Sequence, residues 1–478
     1  MNDQQQQAGR LPDADPQLVA ELKKLLGEKQ VSDKPLDRIT YSRDVWPRAY
    51  LWLKEGQTPH APDAVVWPAS EEDVAAVLRF CRQKKVPLTP SGGGSGVCGG
   101  AIPVKGGVVL DLKRMNKVLN VNPINHTVEV EAGIMGEILE RELQRRGFSL
   151  GHFPASMYCS TVGGWLAARS AGQLSSKYGK IEDMVLSLSG VFPDGSTFHS
   201  KDSPRSAVGP DLDQIVIGSE GTLAVMTRVM LAIHPAPEWQ DYRGFLFTSM
   251  EEGLEAMRLL MREGLDPSVA RLYDEFETGL HRESYGVEGR GCLLIAGFEG
   301  PDNSFARAKA EAGLRLLSQQ GKDLGEGPGR AWLEHRYSIS YNQSKIFSKD
   351  STILDTCEVS ALWSRVGDVY NAVKEAITPH ALVTAHVSHL YSTGAAVYFT
   401  FVSRSEGPPE KEIYDRAWEA AMQACLDSGG VISHHHGIGL HKSSWMEKQL
   451  GPALEVYKNL KKELDPAGIL NPGKLGLG

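Results

Sequence analysis

Residues 90–100, PSGGGSGVCGG, constrain this chain more than any other stretch. Gly92, Gly93 and Gly94, followed by Ser95 and Gly96, leave the backbone almost bare. Such a loop can take positive φ and bring its N–H groups close to a ligand. A diphosphate suits that row of dipoles, because no cluster of lysines is needed. A flexible surface loop would use the same residues. The Lys-Ser/Thr ending of a P-loop is absent, and three adjacent glycines do not follow the spaced Rossmann fingerprint. Nucleoside triphosphate and nicotinamide are therefore disfavoured, and a flavin dinucleotide stays open.

The chain has 478 residues, enough for two or three domains. With 41% hydrophobic and 23% charged residues, it reads as an ordinary globular protein. A net charge of −8 argues against nucleic acid as a partner. The cysteines at 81, 98, 159, 292, 357 and 425 form no CxxC pair, so neither zinc nor a disulfide framework is expected. That usage suits a reducing, cytoplasmic setting. The N-terminal MNDQQQQAGR lacks an apolar core, and no run of about 18 apolar residues predicts a membrane span. A peripheral membrane contact and a homodimer stay open.

In chain order, residues 1–15 are polar and read as disordered. Helical spacing predicts a helix over 16–26, and the aromatics of 39–54 read as a packed N-terminal arm. Residues 61–68 read as a strand, 71–85 as a helix, and 108–112 and 127–131 as strands. A helix over 137–146 follows. After residue 237, helices are expected over 251–263, 305–320, 360–377 and 411–428, with strands over 292–297 and 394–401. A helix over 450–464 closes the pattern. Mixed elements of this kind predict an α+β fold.

Two further glycine-bearing stretches follow the first. Residues 151–171 place Ser160 and Thr161 before Gly163 and Gly164 and a helix-like run at 165–169. Hydroxyls and N–H groups at a helix start suit phosphate or a flavin edge, although a plain N-cap looks the same. Residues 217–225, IGSEGTLAV, put a turn before an apolar strand.

Three such loops in this order resemble the vanillyl-alcohol oxidase and p-cresol methylhydroxylase flavoprotein superfamily. The resemblance implies a two-part FAD-binding domain under an α+β cap that covers the flavin. It assigns FAD contacts to Pro90, Ser91, Gly92, Gly93, Gly94, Ser95 and Gly96 in the first loop. The second loop contributes Ala155, Ser156, Ser160, Thr161, Gly164, Ala168 and Ser170, and the third Glu220, Gly221, Thr222 and Val225. No histidine or cysteine lies within 90–96, so the FAD is expected to be non-covalent. The implied divisions are an arm over 1–57, an FAD-binding domain over 58–237, a cap over 238–430 and a segment over 431–478 that returns to the flavin.

Residues 433–442, SHHHGIGLHK, hold three adjacent histidines. On a strand, neighbours point to opposite faces, so only His434 and His436 would share one. Three uses remain: a pocket lining for an anion, a metal site, or packing. No carboxylate is placed beside them by sequence, and no metal is expected.

The span from about residue 60 onward resembles the alkyldihydroxyacetonephosphate synthase family, FAD enzymes of ether-lipid synthesis. The matching segments are STVGGW (160–165), GKIEDMV (179–185), GPD (209–211), GSEGTL (218–223) and SHHHGIG (433–439). The resemblance makes Tyr398, in AAVYFTF, the acid/base and brings His434, His435 and His436 to the catalytic site. It assigns the anionic substrate to Arg271 in SVARLYDE, with His386 where the family has an arginine and Lys345 near a second arginine without a certain match. Tyrosine titrates near 10, so a base role needs help, and the histidines or Arg271 are expected to favour the phenolate. The expected reaction exchanges the acyl chain of acyl-dihydroxyacetone phosphate for a fatty alcohol. The alternative is an FAD-linked 2-hydroxy-acid dehydrogenase acting on D-lactate, glycolate or D-2-hydroxyglutarate. A flavin-binding protein without catalysis is disfavoured by Tyr398 and the histidine triplet.

Overall fold

A short parallel layer sets the position of the glycine loop. In this computed structural model, which describes residues 11–338, 352–404 and 410–478, the strands Ala64–Val66 and Leu88–Ser91 flank Val108–Asp111 in parallel. Between the first two runs the helix Glu71–Lys84. Ser70 caps it by accepting from the Asp73 N–H, and Glu71, Glu72 and Asp73 fill the positive first turn. Val74, Val77, Leu78 and Cys81 form its buried face, at the spacing an amphipathic helix requires. The glycine loop leaves the carboxyl end of Leu88–Ser91, where ligands bind in parallel α/β layers.

A second, antiparallel sheet orders Val118–Asn122, Thr127–Glu131, Val225–Ala232, Val185–Val191 and Thr197–His199. Its buried residues pack with the helix Val162–Ala168. That helix begins three residues earlier than expected. Thr161 caps it, and Gly163 packs so closely on Ala132 that an added Cβ would lie 3.0 Å away.

The third sheet has seven strands, all paired antiparallel. Their order is Lys322–Asp323, Trp239–Phe247, Cys292–Gly300, Val269–Tyr273, Leu382–Leu390, Gly394–Arg404 and Thr352–Leu362. Helices Met250–Arg262, Val366–Ile377 and Glu410–Asp427 cover one face over the largest apolar core. The molecule is thus an α+β fold in which this sheet and the two described before it all contribute residues to one cavity.

Several expectations change. Residues 360–377 are not one helix: Thr352–Leu362 pairs along its whole length with Gly394–Arg404, and the helix starts at Val366. Pairing with a neighbour overrides local propensity there. The final helix, expected over 450–464, starts at Ala453, because Gly451, at φ 54°, and Pro452 separate it from the short helix Met446–Leu450. Residues 1–10 lie outside the described residues. Asp15 is not disordered: it caps Pro16–Leu26, and its N–H donates to Asp63. The aromatic arm packs as expected, with the Trp46 indole N–H donating to Tyr414 at 3.0 Å and Arg48 paired with Asp415.

Candidate active site

The three glycine-bearing loops meet at one cavity of about 700 Å³, a size typical of ligand pockets. Residues 90–96 line it throughout. Ala155, Ser156, Ser160, Thr161, Gly164, Ala168, Ser170, Glu220, Gly221 and Val225 line it as well. Thr222 does not: it is buried, and its hydroxyl donates to the Ser219 carbonyl at 2.7 Å. Gly92 and Gly93 are needed because the second loop packs directly on them. A Cβ on Gly92 would lie 2.2 Å from Thr161 Oγ1, and one on Gly93 would lie 2.0 Å from the Cys159 carbonyl. Gly94, at φ 65°, has nothing within 4 Å of that position. Bare backbone on one wall and small hydroxyl residues on the other fit a dinucleotide.

The cap sheet supplies the facing wall. His386 stands directly opposite Tyr398, and Tyr398 opposite Glu358, across three neighbouring strands. Opposed residues share a face, so these three form one row. The Tyr398 ring lies between two imidazoles, with His386 at 4.9 Å and 15° and His435 at 6.1 Å and 18°. His436 meets it edge-on at 5.5 Å. Tyr398, Arg271, His386, His435 and His436 all line the cavity. His434 does not; it sits behind, with Nε2 2.7 Å from the Tyr391 hydroxyl. Lys345 lies outside the described residues.

The expected help to the phenolate is outweighed. Burial pushes the Tyr398 hydroxyl up to about 12, against the downward pulls of a Thr356 hydrogen bond and Arg271. The neighbouring histidines are neutral in this environment: burial lowers His436 to about 4 and holds His434 and His435 well below the imidazole range.

Arg271 donates from its terminal nitrogen to His386 Nε2 at 2.7 Å. On its other side, His386 donates from Nδ1 to Glu277 Oε1 at 2.9 Å. Burial raises the Glu277 carboxyl, yet His386 and Arg271 outweigh it and hold the group below its usual range. Among the described residues, Arg271 Nε and Glu277 Oε2 are buried without a partner.

The histidine triplet is not on a strand, so the alternation expected of it does not hold. A buried glutamate shapes it instead. Glu358 accepts the backbone N–H groups of His434, His435 and His436, the Ser433 hydroxyl at 2.7 Å and the Lys442 ammonium at 3.0 Å. Glu358 and Lys442 are both fully buried. Burial opposes the Glu358 charge, but the Lys442 ammonium and the backbone N–H of His434 hold the carboxyl well below the carboxylate range. From the opposite side, Glu220 accepts the Ile438 N–H at 2.6 Å and the Gly439 N–H at 2.8 Å. One glutamate from the cap sheet and one from the third glycine loop thus grip residues 434–439 together. Sequence reasoning missed Glu358, Lys442 and Glu277. The available signal was two acids, Asp355 and Glu358, inside the apolar run TILDTCEVSAL.

Among the described residues, His389, His434 and His435 bring one ligand atom each within 4.8 Å of the others, close enough to share a cation. No helix among them is long and apolar enough to cross a membrane.

Two known domain families match the chain: "FAD binding domain" over residues 62–201 and "FAD linked oxidases, C-terminal domain" over 236–475. An alkyldihydroxyacetonephosphate synthase of Dictyostelium discoideum is 33% identical, over 96% of this chain and 80% of that protein. A solved alkyldihydroxyacetonephosphate synthase superposes with TM-score 0.82 at 30% identity, covering 97% of this chain and 86% of the other. p-Cresol methylhydroxylase shares the fold alone, with TM-score 0.76 at 16% identity over 96% of each chain. These matches, on a site built to hold a dinucleotide, make the protein an FAD-dependent enzyme. The chain belongs to the alkyldihydroxyacetonephosphate synthase family of FAD-linked oxidases.

Proposed function

We propose that this enzyme exchanges the acyl chain of acyl-dihydroxyacetone phosphate for a fatty alcohol. The observation that carries this reading is Tyr398 held between His386 and His435, beside Arg271, on the wall facing the glycine loops. The loops at 90–96, 155–170 and 220–225 hold the FAD. Bound FAD supplies an electron-accepting ring for the carbon that changes partner. Arg271 offers its unpaired Nε–H to the substrate anion, a charge-assisted bond in a dry site. Tyr398 starts neutral and exchanges its proton with the neutral imidazoles beside it as the proton on carbon 1 leaves and returns. His435 and His436 serve the substrate and not a metal ion, so chelators leave the rate unchanged. The domain divisions at 58–237 and 238–430 follow the same reading, and the substrate is lipid-like.

A 2-hydroxy acid is the second reading, favoured by one feature. His386 replaces an arginine of the family pattern, and Glu277 offsets the charge of Arg271, which suits a carboxylate better than a phosphate dianion. Acyl-dihydroxyacetone phosphate with labelled hexadecanol tests the choice. The synthase reading expects the mass of the alkyl product and free fatty acid in equal amounts. Oxidation of D-lactate, glycolate or D-2-hydroxyglutarate with no alkyl product would contradict it.

A further inference from the structure

Glu277 has no role in the synthase reading, yet it is buried in the cavity wall beside the substrate residues. Its Oε1 fixes His386 by accepting from Nδ1, so the other ring nitrogen, Nε2, carries the lone pair. A carboxylate that orients a histidine in this way leaves Nε2 as a general base. Here Nε2 accepts from Arg271, whose own Nε–H has no partner among the described residues. One terminal nitrogen of Arg271 thus lies 2.7 Å from Nε2 and 3.4 Å from Nδ1 of His386, while its Nε–H stays free for an anion.

We propose that His386, oriented by Glu277, is a second proton acceptor that takes the hydroxyl proton of the incoming alcohol, and that it is freed when the substrate anion draws Arg271 away. The proposal rests on the synthase reading. It divides the proton work: Tyr398 handles the proton on carbon 1, and His386 handles the alcohol. Both open on one cavity, with their rings 4.9 Å apart and nearly parallel.

The groups facing His386 allow this. Arg271 and Tyr273 approach from one neighbouring strand and Tyr398 from the other. Glu277 and His281 approach from the helix Glu275–Tyr285, and His389 lies on the same strand as His386. Arg271 is the one cation among them. Burial and Arg271 keep His386 neutral and below its ordinary range before substrate arrives. An anion on the guanidinium cancels that positive field and leaves the Glu277 carboxylate, so the ring gains affinity for a proton at the step that needs it.

The step balances. The alcohol oxygen forms the new bond to carbon 1, its O–H bond breaks, and the proton goes to Nε2. The displaced acyl chain leaves as a carboxylate, taking the electron pair of the carbon–oxygen bond that broke. The proton on His386 then passes to solvent, and nothing is oxidised or reduced overall.

The test uses the FAD-loaded enzyme with acyl-dihydroxyacetone phosphate in D₂O. Two readouts are followed: deuterium entry at carbon 1, and incorporation of hexadecanol or of a more acidic 2,2-difluoro alcohol. Glu277→Gln is expected to slow hexadecanol incorporation by about 100-fold, as loss of an acid/base does. Deuterium entry should slow far less. The acid limb of the pH profile should move, and the fluorinated alcohol should recover most of the lost rate. His386→Gln, which can still donate to Glu277, should behave likewise and carries the test if the first variant fails to hold flavin. Unchanged hexadecanol incorporation, or an equal loss with both alcohols, would overturn the dyad while leaving the synthase reading intact. A wild-type enzyme that shows neither deuterium entry nor alkyl product would sink that reading, and the proposal with it.

Discussion

Tyr398 shows how a single side chain is prepared by its surroundings. Its position in AAVYFTF was readable from the chain, but its titration was not. The sequence suggests charged neighbours that favour the phenolate. The fold instead buries the hydroxyl and surrounds it with neutral imidazoles, so burial wins. Tyr398→Phe should therefore fold and keep its yellow FAD spectrum while turnover falls by about 10²–10⁴-fold. Steady-state rates checked beside the flavin spectrum measure this, and a near-wild-type rate would move the proton work elsewhere. The family pattern pointed to Arg271 and His386, and both line the cavity. Glu277 was not legible, because it sits on a helix 109 residues from its partner His386 and no local spacing joins them.

At the level of elements, the histidine loop depends on two carboxylates from different sheets. Glu358→Gln keeps an acceptor for the loop but leaves Lys442 buried as an unpaired charge. Breaking such a pair costs about 3–5 kcal/mol, so denaturant unfolding should show a loss of that order. A loss under 1 kcal/mol would mean the clamp is not what orders the loop. The same loop predicts a pH dependence. His436 titrates near 6.5 when exposed and at about 4 in the folded chain, because burial disfavours its charged form. Between those values the unfolded chain holds more protons, so this stabilisation is complete above pH 6.5 and is lost as pH falls toward 4. Thermal melts at pH 7 and pH 5 should show a larger drop for the wild type than for His436→Asn. Equal drops would mean that His436 titrates in the fold as it does in the unfolded chain. The alternation that a strand would impose on adjacent histidines does not apply, because the clamp takes their N–H groups away from any ladder.

For the whole molecule, the chain announced its cofactor half better than its cap. The glycine loops are local signals, and they mark the places where backbone must approach backbone or ligand. The cap is a long-range object. Thr352–Leu362 and Leu382–Leu390 both pair with Gly394–Arg404, and Leu382–Leu390 also pairs with Val269–Tyr273, so a window along the sequence misses these partners and reads part of that region as helix. The two halves meet at residues 434–439, held by Glu358 from the cap and Glu220 from the third glycine loop. The central claim is that this joint cavity exchanges groups and returns the flavin unchanged. The most direct measurement is anaerobic absorbance of the yellow enzyme through many turnovers with acyl-dihydroxyacetone phosphate and hexadecanol. The account predicts that alkyl product accumulates while the oxidised flavin band returns to its starting height without an electron acceptor. A band that bleaches and stays bleached, or that bleaches with a 2-hydroxy acid and recovers only when an acceptor is added, would contradict it.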